Sequence, residues 1–360
     1  MQRLDSLQLL RGVAAFAVLV FHVCTLSTDY AGSVFYAPFT RIGEAGVDLF
    51  FVISGFVMST TTYDNFDTPG TPRRFAIHRL SRIYPPYWIL SAFLFLYYIY
   101  NPTGVNSKQG GVNITASFLL APSSKIPLLP VAWTLVHEMF FYTVFFLALC
   151  FVARRWFGWM LFGWATLIIA NLLVQQLGLC EGLALFLLHP FNLEFIAGAA
   201  IGLAFRYRVD LFKPYSRISV GAAIVMFCGV AVFLQNFPTS EALSVTWRVV
   251  WFGIPALLLV AGSIDLQVSR QGWRGVFTRM GDYSYSLYLV HILIIHFAYR
   301  VITRKFGITL NFSSNAFLAI VLIVTCIFAS KLYYRFIEKP SCAAATRLLS
   351  NFLGRKKRVM

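Results

Sequence analysis

Apolar runs of about 20 residues recur along the whole chain, and nothing else in the sequence limits the fold so tightly. About 20 residues of helix are what crosses a hydrocarbon core about 30 Å thick. Ten such runs stand between polar or Pro/Gly breaks, at 7–27, 44–62, 84–100, 131–152, 157–177, 185–205, 218–235, 245–262, 283–301 and 315–334. His189, Pro190 and Glu194 interrupt the sixth. With 58% hydrophobic and 12% charged side chains, the chain lacks the polar residues to cover a soluble surface, for which about 25% charged is usual. A cytosolic or secreted enzyme is thereby excluded. The fold expected is an all-α polytopic membrane bundle of about ten transmembrane helices without a soluble domain. Residues 1–340 would form the transmembrane part and 341–360 a basic cytoplasmic tail. The first run has the look of a signal peptide, but no small-x-small cleavage site follows it and Arg11 interrupts it, so it reads as a retained span.

The charges test this layout, because cytoplasmic loops collect Lys and Arg. Thirty Lys and Arg against fourteen Asp and Glu give a net +16. If the amino terminus is cytoplasmic and the runs alternate, twenty-one of the thirty cations fall in cytoplasmic segments, including Arg3, Arg154, Arg155 and Arg208. Seven fall outside, Lys108 and Arg248 among them. Both termini are then cytoplasmic. The excess charge is mainly a topology signal, and the basic tail around Lys356, Lys357 and Arg358 reads as an anchor on anionic lipid rather than a nucleic-acid arm. Six cysteines, Cys180 among them, lie in or beside apolar runs with no CxxC and no metal-ligand spacing to His, so neither a disulfide framework nor a metal site is expected.

Ionisable groups inside a bilayer cost about 3 kcal/mol or more on insertion scales, so they are paired or functional. Arg11 and His22 are eleven residues apart in the first run, which is three helical turns plus ~20°, or ~16 Å along one face. By the same rise His22 lies within ~10 Å of the outer edge of the hydrocarbon, with Asp48 ~6 Å and Glu138 ~10 Å below that edge. A carboxylate accepting from one ring nitrogen would leave the other as a base for a hydroxyl proton, and either Asp48 or Glu138 could be that carboxylate. Between the second and third runs, Arg79 and Arg82 are three apart with Arg73 and Arg74 close behind. On a short helix their guanidiniums project together, a pattern suited to phosphate, although positive-inside bias alone also places arginines there. His291 lies in the ninth run and could line the same cavity or simply bond a neighbouring Tyr. The long loop 101–130, rich in Gly, Ser and Asn, would lie on the face where an acceptor arrives.

Six motifs, QLLRGVAAFAVLVFH (8–22), GVDLFFVISGF (46–56), RLSRIYPPYW (79–88), WTLVHEMFFY (133–142), YSLYLVH (285–291) and RFIEKP (335–340), occur in the order found in the acyltransferase-3 family of bacterial inner-membrane O-acyltransferases. The chain resembles that family over roughly residues 5–340, most nearly its compact exopolysaccharide acetyltransferases. The resemblance implies transfer of an acyl group, commonly acetyl, from cytosolic acyl-CoA as co-substrate, with no permanently bound cofactor, to a glycan or lipid-linked sugar. It also implies that Arg11 and His22 are an essential pair, that Arg79 and Arg82 form a cytosolic donor motif, and that Glu138 is the motif's acidic position. A proton-coupled transporter of a glycan or small solute is the alternative that buried His, Asp and Glu would also serve. The charge layout predicts that a tag placed after Met360 is labelled from the cytoplasmic side alone. Labelling from the periplasm of intact cells would contradict it.

Overall fold

The computed structural model describes residues 4–32, 38–102, 111–174, 186–207, 212–234 and 244–355. Arg3, Lys108, Cys180, Arg208, Lys356, Lys357 and Arg358 lie outside the described residues. No strand occurs among the described residues. The main helices are α1 (Asp5–Ala31), α2 (Ala45–Thr62), α3 (Thr71–Tyr100), α4 (Trp133–Phe151), α5 (Arg154–Val174) and α6 (Asn192–Tyr207). They continue with α7 (Ser216–Leu234), α8 (Ile254–Ser263), α9 (Gly272–Asp282), α10 (Ser284–Tyr299), α11 (Phe312–Tyr333) and α12 (Lys339–Arg355). A π-helical turn, Val249–Gly253, leads into α8, and another, Tyr334–Glu338, joins α11 to α12.

Eight helical stretches among the described residues are long and apolar enough to cross a membrane. Together with the helical composition they make the chain an all-α polytopic membrane protein. Two of the ten expected runs take other forms. The sixth survives as the 16-residue α6, about 24 Å long and shorter than a full crossing. The third is only the second half of α3, which is 30 residues long and starts at Thr71.

Sequence rules place a break at Pro85 and Pro86, because each removes a backbone N–H and strands the carbonyl four residues earlier. Here the helix runs through both. Cys342 Sγ approaches the Arg82 carbonyl that Pro86 strands, at 3.6 Å, and Tyr333 donates to the Pro86 carbonyl at 2.6 Å. The Cys342 thiol thus stands at one of the two carbonyls that the prolines strand, and the Tyr333 hydroxyl adds a tie to the helix next to it. The stretch read as a loop from 101 to 130 is also partly packed. A short helix, Ile114–Leu119, presents the carbonyls of Ser117, Phe118 and Leu119 to Tyr87, Trp88 and Tyr84 at 2.7–2.8 Å. That segment therefore lies against the middle of α3, not at its end.

The chain forms two compact units, Met1–Tyr63 with Gly158–Phe328, and Asp64–Phe157 with Ala329–Met360. In the first, α1 is the hub. Gly43, in the 3-10 turn just before α2, and Gly46 in its first turn face Ala17 and Ala14 of α1, so the two helices are antiparallel. α10 runs parallel to α1, as Arg11 pairs with Ser284, His22 with His291 and Tyr30 with His296 in ascending order. At the far end of this pair a buried polar junction closes, where Asn315 donates to Ser27 at 2.6 Å and accepts from Tyr299 at 2.9 Å. α7 and α8 are antiparallel, with Ser216 bonded to Gly262 and Phe233 stacked on Trp251.

α2 and α6 run parallel and approach closely at Gly55 and Gly198, where an added Cβ would come within 2.0 Å of the Phe195 and Val52 carbonyls respectively. Small residues allow this backbone contact, which is how apolar helices associate where lipid competes equally for their side chains. In the second unit α4 runs antiparallel to the first half of α3, with Phe145 stacked on Phe75 at 5.2 Å. α12 lies antiparallel along the same half, through Thr346 with Ser81 and Arg73 with Ser350. Gly198→Val should force α2 and α6 apart and cost at least about 1–3 kcal/mol of stability. Thermal unfolding in detergent measures it, and an unchanged midpoint would show that the close approach is dispensable.

Candidate active site

Both residues of the α1 polar stripe meet α10. His22 Nδ1 lies 2.9 Å from the Val18 carbonyl and His291 Nδ1 lies 2.8 Å from the Leu287 carbonyl, each four residues back on its own helix. A carbonyl oxygen can only accept, so in both rings Nδ1 carries the hydrogen and Nε2 the lone pair. His291 Nε2 stands 3.3 Å from His22 Nδ1, with ring centroids 5.0 Å apart, and accepts a share of that same hydrogen. The lone pair of His22 Nε2 is left over, and no group among the described residues is hydrogen-bonded to it. An imidazole so arranged can take a proton from a hydroxyl. Toward the start of the helices, Arg11 Nη2 donates to Ser284 Oγ at 3.0 Å, just where the chain reverses from α9 into α10.

The tautomer of His22 is therefore set by a backbone carbonyl and a second imidazole, and not by Asp48. Asp48 is fully buried and committed to Arg248, whose Nη2 and Nε lie 3.0 and 3.4 Å from its two oxygens. The same guanidinium reaches Glu44, at 3.3 Å from Oε2 and 3.2 Å from the backbone oxygen, and lies over the rings of Phe191 and Phe252. Glu194, only 3% exposed, belongs to the same charged neighbourhood and fills the space left by the missing side chain of Gly253. Depth arithmetic put Asp48 beside His22 because it treated every helix as starting at a membrane edge. α2 instead crosses α1 through Gly46 and Ala14, two turns of α1 before His22.

In the second unit, Arg79 is held between aromatic rings. Its guanidinium carbon is 5.3 Å from the centre of the Tyr142 ring and 5.6 Å from that of Phe75, and the Tyr142 hydroxyl donates to Glu138 Oε1. Arg79 Nε is buried without a hydrogen-bond partner among the described residues, an orphaned donor of the kind an anion would satisfy. Arg82, one turn on, is partly buried, Arg74 is exposed, and Arg73 donates to the Ser350 carbonyl at 3.4 Å. These arginines sit on a continuous helix and not in a loop. Because α4 runs back along the first half of α3, Glu138 joins the arginine cluster through Tyr142.

Sequence reasoning missed Arg248 and Tyr142. A cation partner is what a buried Asp48 and Glu194 required, but Arg248 had been counted as a loop charge. Tyr142 was legible as one turn beyond Glu138 on the same helix face. Among the described residues no group of three or more His, Cys, Asp or Glu is arranged to hold a metal ion.

The chain matches the family model described as acyltransferase domain over residues 4–333. It is 31% identical over 329 residues to the exopolysaccharide production protein ExoZ of Rhizobium meliloti (strain 1021), a match covering 87% of this chain and 95% of that protein. It is 27% identical over 367 residues to the acyltransferase MdmB of Streptomyces mycarofaciens, covering 94% and 91% respectively. Both likenesses run nearly end to end, so they concern the whole bundle and not a shared fragment. No solved structure matches the chain.

Arg248→Met should leave two carboxylates buried without their cation and cost about 3–5 kcal/mol, with part of the loss recovered when Asp48→Asn is added. Thermal unfolding of the single and double variants checks this. A double variant as unstable as the sum of the two singles would show that the pair is not coupled.

Proposed function

Since the chain belongs to the acyltransferase family matched over residues 4–333 and is a polytopic membrane protein, we propose that it moves an acyl group, acetyl in the first instance, from cytosolic acyl-CoA to a sugar hydroxyl. The acceptor is an exopolysaccharide or another cell-surface glycan, presented as a glycan or lipid-linked sugar, and the protein resides in the bacterial inner membrane with both termini cytoplasmic. The likeness to ExoZ, an exopolysaccharide production protein, supports the choice of acceptor. Family membership favours a transferase over the transporter alternative.

The observation that carries the chemistry is the unused lone pair of His22 Nε2. Nε2 takes the proton of the acceptor hydroxyl as its oxygen attacks the thioester carbonyl, and the proton passes to the departing thiolate as the carbon–sulfur bond breaks. Arg79, Arg82, Arg73 and Arg74 bind the phosphates of the donor. Arg11, ~16 Å along α1 from His22, serves the donor path and not the reacting oxygen. Asp48 and Glu138 act at one remove, Asp48 by holding Arg248 and Glu138 by fixing Tyr142 against Arg79.

Membranes supplied with labelled acetyl-CoA and candidate lipid-linked sugars test the reading. His22→Ala should lower transfer on the order of 10²–10⁴-fold with donor binding retained. Arg79→Ala should instead raise the donor requirement, losing a charge-assisted bond of about 1.5–3 kcal/mol. Near wild-type transfer by His22→Ala would remove it as the base. Unchanged donor use by Arg79→Ala would return the arginines to a purely topological role.

A further inference from the structure

We propose that His291 is a positioning residue for this transfer, its Nε2 lone pair holding the Nδ1–H of His22 so that His22 Nε2 is presented as the base. The proposal rests on the reading of His22 given above and extends it to a second helix. Three observations support it. His291 is 1% exposed and its own Nδ1–H is spent on the Leu287 carbonyl, so the only polar atom it can offer across to α1 is an acceptor. That acceptor is aimed at His22 Nδ1, 3.3 Å away, with the rings inclined at 61°. The carbonyl of His291 itself receives Cys326 Sγ from α11 at 3.9 Å, so the backbone behind the ring is held from a third helix.

The arrangement has a chemical logic specific to an apolar interior. When His22 Nε2 takes the hydroxyl proton, positive charge spreads over the ring and the Nδ1–H becomes a stronger donor, so its bond to His291 tightens in the state where it is needed. A carboxylate would do this more strongly, but at the cost of a permanent charge among the helices. A neutral imidazole adds none. The Val18 carbonyl fixes the tautomer in the resting state, and His291 supplies the second contact that fixes the ring's rotation.

The test uses the full-length protein in detergent with a defined sugar acceptor, comparing His291→Leu, which keeps the bulk and loses the acceptor, with His291→Gln, whose Oε1 reaches about as far as Nε2. His291→Leu should lower kcat about 10- to 100-fold, less than loss of the base itself, and leave the KM for acetyl-CoA unchanged. His291→Gln should restore kcat to within about threefold of wild type if an acceptor is all that is required. Where the Leu variant does not accumulate, His291→Met takes its place. Wild-type kcat in the Leu or Met variant, or a Gln variant as impaired as the apolar one, would overturn the proposal and reduce His291 to packing. His22→Ala measured alongside separates the two levels. An inactive His22→Ala with a fully active His291→Leu contradicts the positioning role alone, whereas an active His22→Ala overturns both.

Discussion

Inside hydrocarbon no water completes an unpaired polar group, and the internal contacts of this protein follow from that single shortage. A buried polar atom left without a partner costs several kcal/mol, so polar side chains turn back to a carbonyl of their own helix or find polar groups on another. α1 shows the consequence along its length. Arg11 goes to Ser284, His22 to His291, and Ser27 to Asn315. Between these bonds the faces are apolar, with Val18, Leu19 and Val23 essentially inaccessible. Apolar packing lets helices slide and rotate at little cost, while spaced polar bonds fix register. The position of the candidate base is thus set by the same bonds that hold the helices together.

Charge and neutrality are used for different purposes. The Asp48–Arg248–Glu44 group is ionic, buried and bidentate, and it ties the start of α2 to the π-helical turn before α8. Removing a guanidinium and two carboxylates from water is expensive, and the attraction repays it only when most donors and acceptors are matched, as the four contacts of Arg248 at 3.0–3.4 Å provide. Such a group holds an architecture and has no spare valence for chemistry. The His22–His291 pair is the reverse. Its atoms are neutral in the arrangement described, and one nitrogen is left over. In the second unit the Arg79 guanidinium has ring faces on two sides and a buried, unsatisfied Nε. Arg248, by contrast, is bonded to two carboxylates.

Much of this was legible in the sequence. Runs of the right length gave the spans, and the parallel pairing of α1 with α10 and of α2 with α6 is the one that alternating crossings require. His22 stood out because an imidazole in an apolar helix needs a reason, and Arg79 and Arg82 because their spacing puts two guanidiniums on one side. What local pattern could not supply was partnership across long separations. The third run reads as starting only at residue 84, whereas the helix starts at Thr71, since nothing nearby in sequence says that Cys342 will reach the Arg82 carbonyl that Pro86 exposes. Arg248 read as a loop charge because its carboxylates lie about two hundred residues earlier. Asp48 and Glu138 were matched to His22 by depth alone, and depth computed from a uniform rise takes no account of helices as unequal as the 16-residue α6 and the 30-residue α3.

The central claim is that His22 carries its hydrogen on Nδ1 and keeps Nε2 bare. Nitrogen NMR on protein labelled with ¹⁵N-histidine and reconstituted in lipid reads this directly, the His22 signals being assigned by their loss in a His22→Gln sample. A bonded hydrogen on Nδ1 and an unprotonated Nε2 are what the geometry requires. A ring protonated on Nε2 with a bare Nδ1 would contradict the Val18 and His291 contacts together, and with them the assignment of His22 as the base.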